Sequence, residues 1–537
     1  MTNIYKLQDD IIPMSEIKHW ADEIAEKLIS LNPRKKKFIC AAGISPSGTV
    51  HIGNFRDVIT VDLVSKALKD KGYQAEIIFS WDEFDRLRKI PANIPQDFSK
   101  YLGIPLAEVP DFDKCHKSYA KHFEKPFEEV LPELGIKIRF IYQSEMYKKN
   151  KYYEGIKIAL RKRKEIAKIL AKFKTQGMTA EGIKNYYPLQ VYCRKCKSSF
   201  NTKITSYDEK NKITYSCTCG HSETADISKE NIGKLDWKVD WAMRWKYEDV
   251  SFEPGGEDHA SPGGSYDVSS VIAKEIYKIN PPLFQGYGFV GVQGAFKMSS
   301  SKGTGISPKD LLEIYEPELL RWIFIRDNPK KAITFFFDSE IIRQYDEFDR
   351  KIADYFEKKL NSIEKREIEF SKVNEKKLVR KRVPFRQIAS FGQIVQGNFE
   401  ELKKIYETIK EKYDVEILKQ RLVKSQAWIE NFVPEMKIKL RETPNASYFN
   451  KLSKEEKEQL KKFKEKLKSK LNMEKLTVLV YDIPKKPNMN EEEKKIAQRN
   501  FFKNVYQMLI DADTGPRLPI FILVIGNKKV EKLLDVK

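Results

Sequence analysis

Between Lys37 and Ile44 the chain reads KFICAAGI, a short apolar run of the kind shown by strands buried on both faces. It ends in a turn of small and polar residues. Beyond the turn, Phe55, Val58, Ile59, Leu63, Ala67 and Leu68 recur at helical spacing up to Gly72, where a helix-ending glycine belongs. Further buried strands are predicted at Ala75–Phe79, Ile136–Tyr142 and Phe284–Val292, so strand and helix alternate as in a doubly wound parallel sheet. A polar helix over residues 15–30 comes first.

From about Tyr147 to Leu235 the character changes, starting with a basic helix over 157–174 (KIALRKRKEIAKILAKFK). This reads as an inserted domain. Past Ser339 the spacing turns helical: Ile341, Ile342, Tyr345, Phe348, Ile352, Tyr355 and Phe356 form one stripe. Ser453 with Glu456, and Asn490 with Glu493, are capping-box signatures ahead of further apolar stripes. The last apolar run, Leu518–Ile525, reads as a strand. The expected organisation is a helical segment 1–35, two sheet halves 36–146 and 236–310 around an insertion 147–235, a connecting segment 311–340 and a helical domain 341–537. The expected fold class is α/β, a doubly wound parallel (Rossmann-like) sheet with a zinc-containing insertion and an all-α C-terminal domain.

Composition narrows the partners. Among 537 residues, 98 Lys and Arg against 77 Asp and Glu give a net charge of +21, a surplus that points to a polyanion such as nucleic acid. Residues 341–537 alone hold 45 basic against 31 acidic side chains, although lysine runs such as 461–470 also serve as solvated helix faces. No run approaches the ~20 apolar residues of a bilayer span, so a cytoplasmic protein without a membrane partner is expected. Of six cysteines, four lie between Cys193 and Cys219, a clustering that suits a metal site better than a disulfide framework. Cys193-x-x-Cys196 and Cys217-x-Cys219 favour a closed tetrahedral zinc site, with His221 as the alternative to one cysteine. Phe200, Ile204, Tyr207, Ile213 and Tyr215 between the pairs suggest a small β-ribbon stapled by the metal.

Two elements suit a nucleotide. Ser45-Pro46-Ser47-Gly48-Thr49-Val50-His51-Ile52-Gly53-Asn54 joins a buried strand to its helix, where free backbone N–H groups and a positive helix end receive phosphate, and Gly48 and Gly53 permit close approach. His51 and Asn54 add side-chain donors. Phe296-Lys297-Met298-Ser299-Ser300-Ser301-Lys302-Gly303 is a cationic, hydroxyl-rich loop after the last sheet strand, suited to a triphosphate. In this order the two resemble the HIGH and KMSKS signatures of class I aminoacyl-tRNA synthetases, with Asn54 where many members have histidine and Ser300 in place of the loop's usual fourth-position lysine. The stretches 252–264 (FEPGGEDHASPGG), 80–89 (SWDEFDRLRK) and 237–245 (WKVDWAMRW) narrow the resemblance to the class I lysyl-tRNA synthetases.

That resemblance covers most of the chain and implies a lysine–tRNA ligase. Lysine and ATP (with Mg2+) would give lysyl-adenylate and pyrophosphate, and lysine would then pass to the terminal adenosine of tRNA(Lys), first at its 2′-OH. It implies His51, Asn54, Lys297 and Lys302 in catalysis, with either loop lysine dominant. Pro46, Ser47, Gly48, Gly53, Met298, Ser299, Ser300 and Ser301 would meet ATP, and Gly256 and Asp258 its ribose or adenosine. Gly43, Ser45, Trp237 and His259 would form the lysine pocket, with Tyr287 another member. The acid facing the ε-ammonium is open among Asp82, Asp236, Asp240 and Glu257. Asp111, Cys115, His116 and His122 would not share a face of a regular helix, yet the resemblance implies a second Zn2+ there. It assigns the insertion to acceptor binding and the helical third to the anticodon, in a protein expected to be a monomer. A glutamyl specificity, or an inactive zinc-containing tRNA-binding relative, stands as the alternative.

Overall fold

The computed structural model describes residues 18–173, 177–293, 305–373, 378–409, 412–469 and 471–536. Its centre is a five-stranded, wholly parallel sheet ordered Leu283–Tyr287, Val250–Gly256, Lys37–Ile44, Gln74–Trp81, Arg139–Tyr142. The strand Lys37–Ile44 runs outward in both directions to its neighbours, Cys40 facing Ile77 on one side and Phe252 on the other. Its gap to Val250–Gly256 is therefore the switch point of the winding, where such sheets open a crevice at their carboxyl ends. The helix Ile52–Asp70 packs on this strand and is enclosed by its neighbours, with Val58, Val61, Leu63 and Leu68 all fully buried. Gly72, at φ +83°, ends it in the left-handed conformation that glycine adopts without strain.

Three expectations need correction. The run Phe284–Val292 is not one strand: Leu283–Tyr287 stays in the central sheet, and Val290–Val292 pairs in parallel with Ile333–Phe335 in a separate sheet. The break falls at Gly288, where a Cβ would stand 2.5 Å from the Lys330 carbonyl. The Arg56 guanidinium takes the Gly288 and Lys331 carbonyls at 3.0 and 2.7 Å, so the chain leaves the sheet with its polar groups satisfied. The basic helix is two, Tyr153–Arg161 and Arg163–Lys172, parted at Lys162. Leu518–Ile525 is a helix, with Pro519 in its first turn and Leu518, Ile520, Phe521 and Ile522 buried. A short apolar run buried all round has no periodicity to separate helix from strand.

Between the two halves of the central sheet, Thr202–Tyr207, Lys212–Cys217 and Ser222–Asp226 form an antiparallel ribbon, as the aromatic and β-branched pattern between the cysteines suggests. Leu189–Val191 and Gly233–Leu235 pair at its base. The chain divides into two compact units, one made of Met1–Leu312, Pro317–Phe336 and Leu360–Lys376, the other of Glu313–Glu316, Phe337–Lys359 and Lys377–Lys537. Within the first, the buried Arg321 binds Asp62 at 2.7 Å and the carbonyls of Leu134 and Phe370. The second is helical throughout its described residues; there Arg421 joins Glu316 at 2.8 Å to Asp349 at 2.6 Å. Both capping boxes at Ser453 and Asn490 are formed. No described helix is long and apolar enough to cross a membrane.

Candidate active site

The strand Lys37–Ile44 ends at the sheet's carboxyl edge, and the helix Ile52–Asp70 begins beside it. His51 caps that helix: its Nδ1 accepts the Gly53 N–H at 3.1 Å, and Asn54 Oδ1 accepts the His51 N–H at 3.2 Å. A ring whose Nδ1 accepts keeps its proton on Nε2. Burial lowers the His51 pKa to about 4, so the imidazole is neutral near pH 7. The Ile52 N–H donates to the Ile306 carbonyl at 2.8 Å, so the chain following the Lys297–Lys302 loop lies against the start of this helix.

A cavity of about 250 Å³ opens at this edge. It brings together Gly43, His51, Gly53 and Asn54 with Trp237, Gly256, Asp258, His259 and Tyr287. Ser45, Pro46, Ser47 and Gly48 stand outside its lining, and the Ser47 carbonyl accepts the Tyr119 hydroxyl at 2.9 Å. Lys297, Met298, Ser299, Ser300, Ser301 and Lys302 lie outside the described residues. One wall is aromatic: Trp237 stacks on Trp241 with centroids 5.0 Å apart, and His259 lies 5.8 Å from Trp241. A larger cavity of about 690 Å³ lies in the second unit among Phe391, Trp428, Met436 and Arg517. It holds none of the nucleotide motifs, so the smaller one is the candidate active site.

The acids sort themselves by partner. Asp82 takes Lys234 at 3.1 Å and Arg244 at 3.0 Å; burial would raise its carboxyl, but these cations outweigh it and hold it below the usual range. Asp240 accepts the Tyr147 hydroxyl at 2.5 Å and lies 3.3 Å from Arg244. Asp236 accepts from Tyr186 and Gln190, both at 2.8 Å. Glu257 is exposed on the short helix Glu257–Ala260.

Both candidate metal clusters converge. The thiols of Cys193, Cys196, Cys217 and Cys219 lie within 4.8 Å of one another, with Cys193–Cys219 at 3.7 Å and Cys196–Cys217 at 3.6 Å. A tetrahedron with Zn–S bonds of about 2.3 Å has sulfur–sulfur edges of about 3.8 Å. His221 turns instead to Glu223, 3.3 Å away. Asp111, Cys115, His116 and His122 also meet within 4.8 Å, which a regular helix would forbid. They succeed because only His122 is helical, on Tyr119–Val130, while Lys114 at φ +58° turns the preceding loop back. Cys115 Sγ stands 3.0 Å from His116 Nδ1 and 3.4 Å from His122 Nδ1, and the buried Asp111 carboxylate is 3.1 Å from His122.

Residues 18–375 match the family described as "tRNA synthetases class I (K)". Over 535 residues the chain is 36% identical to a lysine–tRNA ligase of Pyrococcus horikoshii, spanning 97% of this chain and 99% of that one. It is 38% identical over 533 residues to a lysine–tRNA ligase of Borrelia garinii subsp. bavariensis, spanning 96% and 99%. A lysine–tRNA ligase of Archaeoglobus fulgidus is 36% identical over 521 residues, spanning 96% and 99%. The chain belongs to the class I lysyl-tRNA synthetases.

Sequence reasoning missed two carboxylates that line this synthetase's cavity, Glu253 and Asp57. Glu253 sits inside the strand Val250–Gly256 and receives the indole N–H groups of Trp241 at 2.9 Å and Trp245 at 2.6 Å. Burial raises its pKa against the pull of those indoles. Asp57 lies one turn into the helix Ile52–Asp70, hydrogen-bonded to Tyr287; burial raises it strongly, and its Oδ1 is buried without a partner. A signal for Glu253 existed. Trp241 and Trp245 are spaced i, i+4, so both indoles fall on one helix face, and an acid in an apolar strand run needs donors.

Proposed function

We propose that the 250 Å³ cavity at the sheet's carboxyl edge is where this lysine–tRNA ligase forms lysyl-adenylate, with His51 and Asn54 on the ATP phosphates. The observation that carries this reading is the reciprocal cap of His51 and Asn54, which faces the same cavity as Trp237, His259 and Tyr287. The helix start offers a partial positive charge to the phosphates, while its Ile52, Gly53 and Asn54 N–H groups are taken by the Ile306 carbonyl, His51 Nδ1 and the His51 carbonyl. His51 Nε2–H donates without carrying charge, and Asn54, its Oδ1 occupied by the cap, keeps its amide hydrogens for the ligand.

The lysine carboxylate attacks the α-phosphorus in line, one new P–O bond forms, and pyrophosphate leaves. No side-chain nucleophile is required, so catalysis rests on positioning and on stabilising charge that develops on the phosphates. Lys297 and Lys302 take the pyrophosphate from the loop side. Gly256 and Asp258 hold the ribose. The 2′-OH of the terminal adenosine of tRNA(Lys) then attacks the acyl carbon and releases AMP.

Zinc fits both clusters. Four thiolates with tetrahedral edges would staple the ribbon at Cys193, Cys196, Cys217 and Cys219, and the oxygen, sulfur and two imidazoles of Asp111, Cys115, His116 and His122 are zinc donors too. Segment 147–235 serves the acceptor end of the tRNA and 341–537 the anticodon. In support, Arg161, Lys162, Lys164 and Lys168 on the insertion, and Lys461, Lys462 and Lys466 on Lys454–Leu467 with Lys468 just beyond it, are exposed cations.

The test is His51→Asn, which retains a capping oxygen and removes the Nε2–H donor. Lysine-dependent ATP–pyrophosphate exchange is expected to fall about 100-fold, as for loss of one oriented donor to developing charge. An exchange rate within threefold of the parent, at an unchanged melting temperature, overturns the assignment.

A further inference from the structure

Lysine differs from an apolar amino acid of similar length by its terminal ammonium, and a site selecting it must supply a buried acceptor. Asp82 and Asp240 are already engaged by buried cations, Asp236 is outside the lining of this cavity, and Glu257 and Asp258 are exposed. We propose that Glu253 receives the ε-ammonium of the substrate lysine and thereby sets the amino-acid specificity of this enzyme; the assignment rests on the cavity being the lysine and ATP site.

Three observations converge. First, Glu253 has a carboxylate that is held but not neutralised. Each oxygen takes a single indole N–H, at 2.9 and 2.6 Å, which leaves further lone pairs for a ligand. Among the described residues it forms no ion pair, and Arg244 is committed to Asp82 and Asp240 at 3.0 and 3.3 Å. Both indoles approach from the protein, so they fix the carboxylate's orientation ahead of any ligand.

Second, Glu253 lies at the junction of two spaces. It lines the main cavity and also a small recess of about 30 Å³ that continues past Gly43, Trp237 and Trp241 toward Asp82. The indoles of Trp237 and Trp241 border both spaces and present apolar surface suited to methylene groups.

Third, the depth is right. Glu253 sits three residues before the strand end at Gly256, about 10 Å below the rim at about 3.3 Å per residue. An extended lysine side chain spans roughly 6 Å from Cα to Nζ at standard bond lengths, so a carboxylate reacting beside His51 places its ammonium down toward the strand interior. Asp57, another cavity acid, lies a turn into the helix Ile52–Asp70 and engages Tyr287.

The experiment measures ATP–pyrophosphate exchange by the full-length enzyme and its Glu253→Gln, Asp57→Asn and His51→Asn variants, with lysine and with norleucine, which lacks the ammonium. Glu253→Gln is expected to raise the KM for lysine at least 100-fold, to leave the KM for ATP within twofold, and to shrink the preference for lysine over norleucine. Should Glu253→Gln not fold, Glu253→Asp keeps the charge and draws it back, and at least a tenfold rise in lysine KM is expected. A lysine KM within threefold of the parent in whichever variant folds overturns the proposal, as does a loss of lysine preference that follows Asp57→Asn instead. If His51→Asn impairs exchange and Glu253→Gln does not, only Glu253 is misassigned; if neither changes anything, the cavity itself is.

Discussion

Lys234 holds its ammonium 3.1 Å from Oδ1 of Asp82, with both side chains buried. The lysine belongs to the strand Gly233–Leu235, which closes the insertion, and the aspartate follows the strand Gln74–Trp81 of the central sheet. The same ammonium reaches Asp85 at 2.6 Å, while Arg244 covers the other side of Asp82. Burial alone would strip the lysine of its proton, but Asp82, Asp85 and Asp240 together outweigh it and keep the ammonium charged. The insertion is thus tied to the catalytic sheet by a buried ionic network that is full before any ligand arrives.

Lys234→Met leaves Asp85 without this buried cation and Asp82 with Arg244 alone. Breaking a buried pair from one side costs about 3–5 kcal/mol, because the abandoned charge cannot be rehydrated. Lys494 pairs with Glu491 at 2.8 Å on the surface, where such a pair is worth roughly 0–1 kcal/mol. Denaturant unfolding of the two methionine variants is therefore expected to separate them clearly, and equal losses would show that the network contributes no more than a surface pair.

The pH dependence of stability tests the buried histidines. His19 caps the helix Trp20–Leu31 through Nδ1, faces the Ile325 carbonyl through Nε2 at 3.2 Å, and is lowered by burial to about 4. The unfolded chain takes up this proton near pH 6.5 and the native chain only near 4, so stability is intact above 6.5 and falls as the pH drops toward 4. Glu83 works in the opposite sense, since burial raises it to about 7. The histidine contribution is therefore read as a difference: His19→Asn, which retains a capping oxygen, is expected to flatten the decline between pH 6.5 and 4 by up to about 3 kcal/mol. Parallel curves for parent and variant would refute it.

Metal content gives a direct count. The native enzyme is expected to carry two zinc ions per chain by elemental analysis, and Cys217→Ser and His122→Ala one each. Cys217→Ser is expected also to expose the ribbon to proteolysis, because a small ribbon has little apolar area of its own to bury. His122→Ala leaves the ribbon protected. Zinc content unchanged in either variant would remove the corresponding cluster from the metal sites.

Much of this arrangement is legible in the residues themselves. The apolar run 37–44, the turn to His51 and the helical spacing beyond it specify a strand, a turn, a helix and their order, because each is a local pattern. The cysteines fold as their spacing suggests, with the ribbon between the pairs. What is not legible depends on partners distant in sequence. Glu253, between Phe252 and Pro254, carries only an indirect mark, the i, i+4 spacing of Trp241 and Trp245, and the fold is needed to show that both indoles reach it. The convergence of Asp111, Cys115, His116 and His122 depends on one left-handed residue, Lys114, which no periodicity marks. The split of Phe284–Val292 at Gly288 depends on Arg56, more than 200 residues earlier, receiving the freed carbonyl.

Gly43 links the fold and the site most tightly. It pairs with Ser80 across the first two strands, and a Cβ there would stand 2.7 Å from the Ser80 carbonyl oxygen, a contact that backbone cannot yield without parting the strands. Gly43 also lines both the main cavity and the recess beside Glu253. Gly43→Ala is therefore expected to cost about 1–3 kcal/mol in unfolding, the usual penalty for an overpacked methyl. The same displacement moves the floor of the proposed lysine site, so lysine KM is expected to rise more than tenfold while the melting temperature drops by only a few degrees. Calorimetry and exchange kinetics on one preparation check both, and a variant with parental lysine KM would place the lysine away from Gly43.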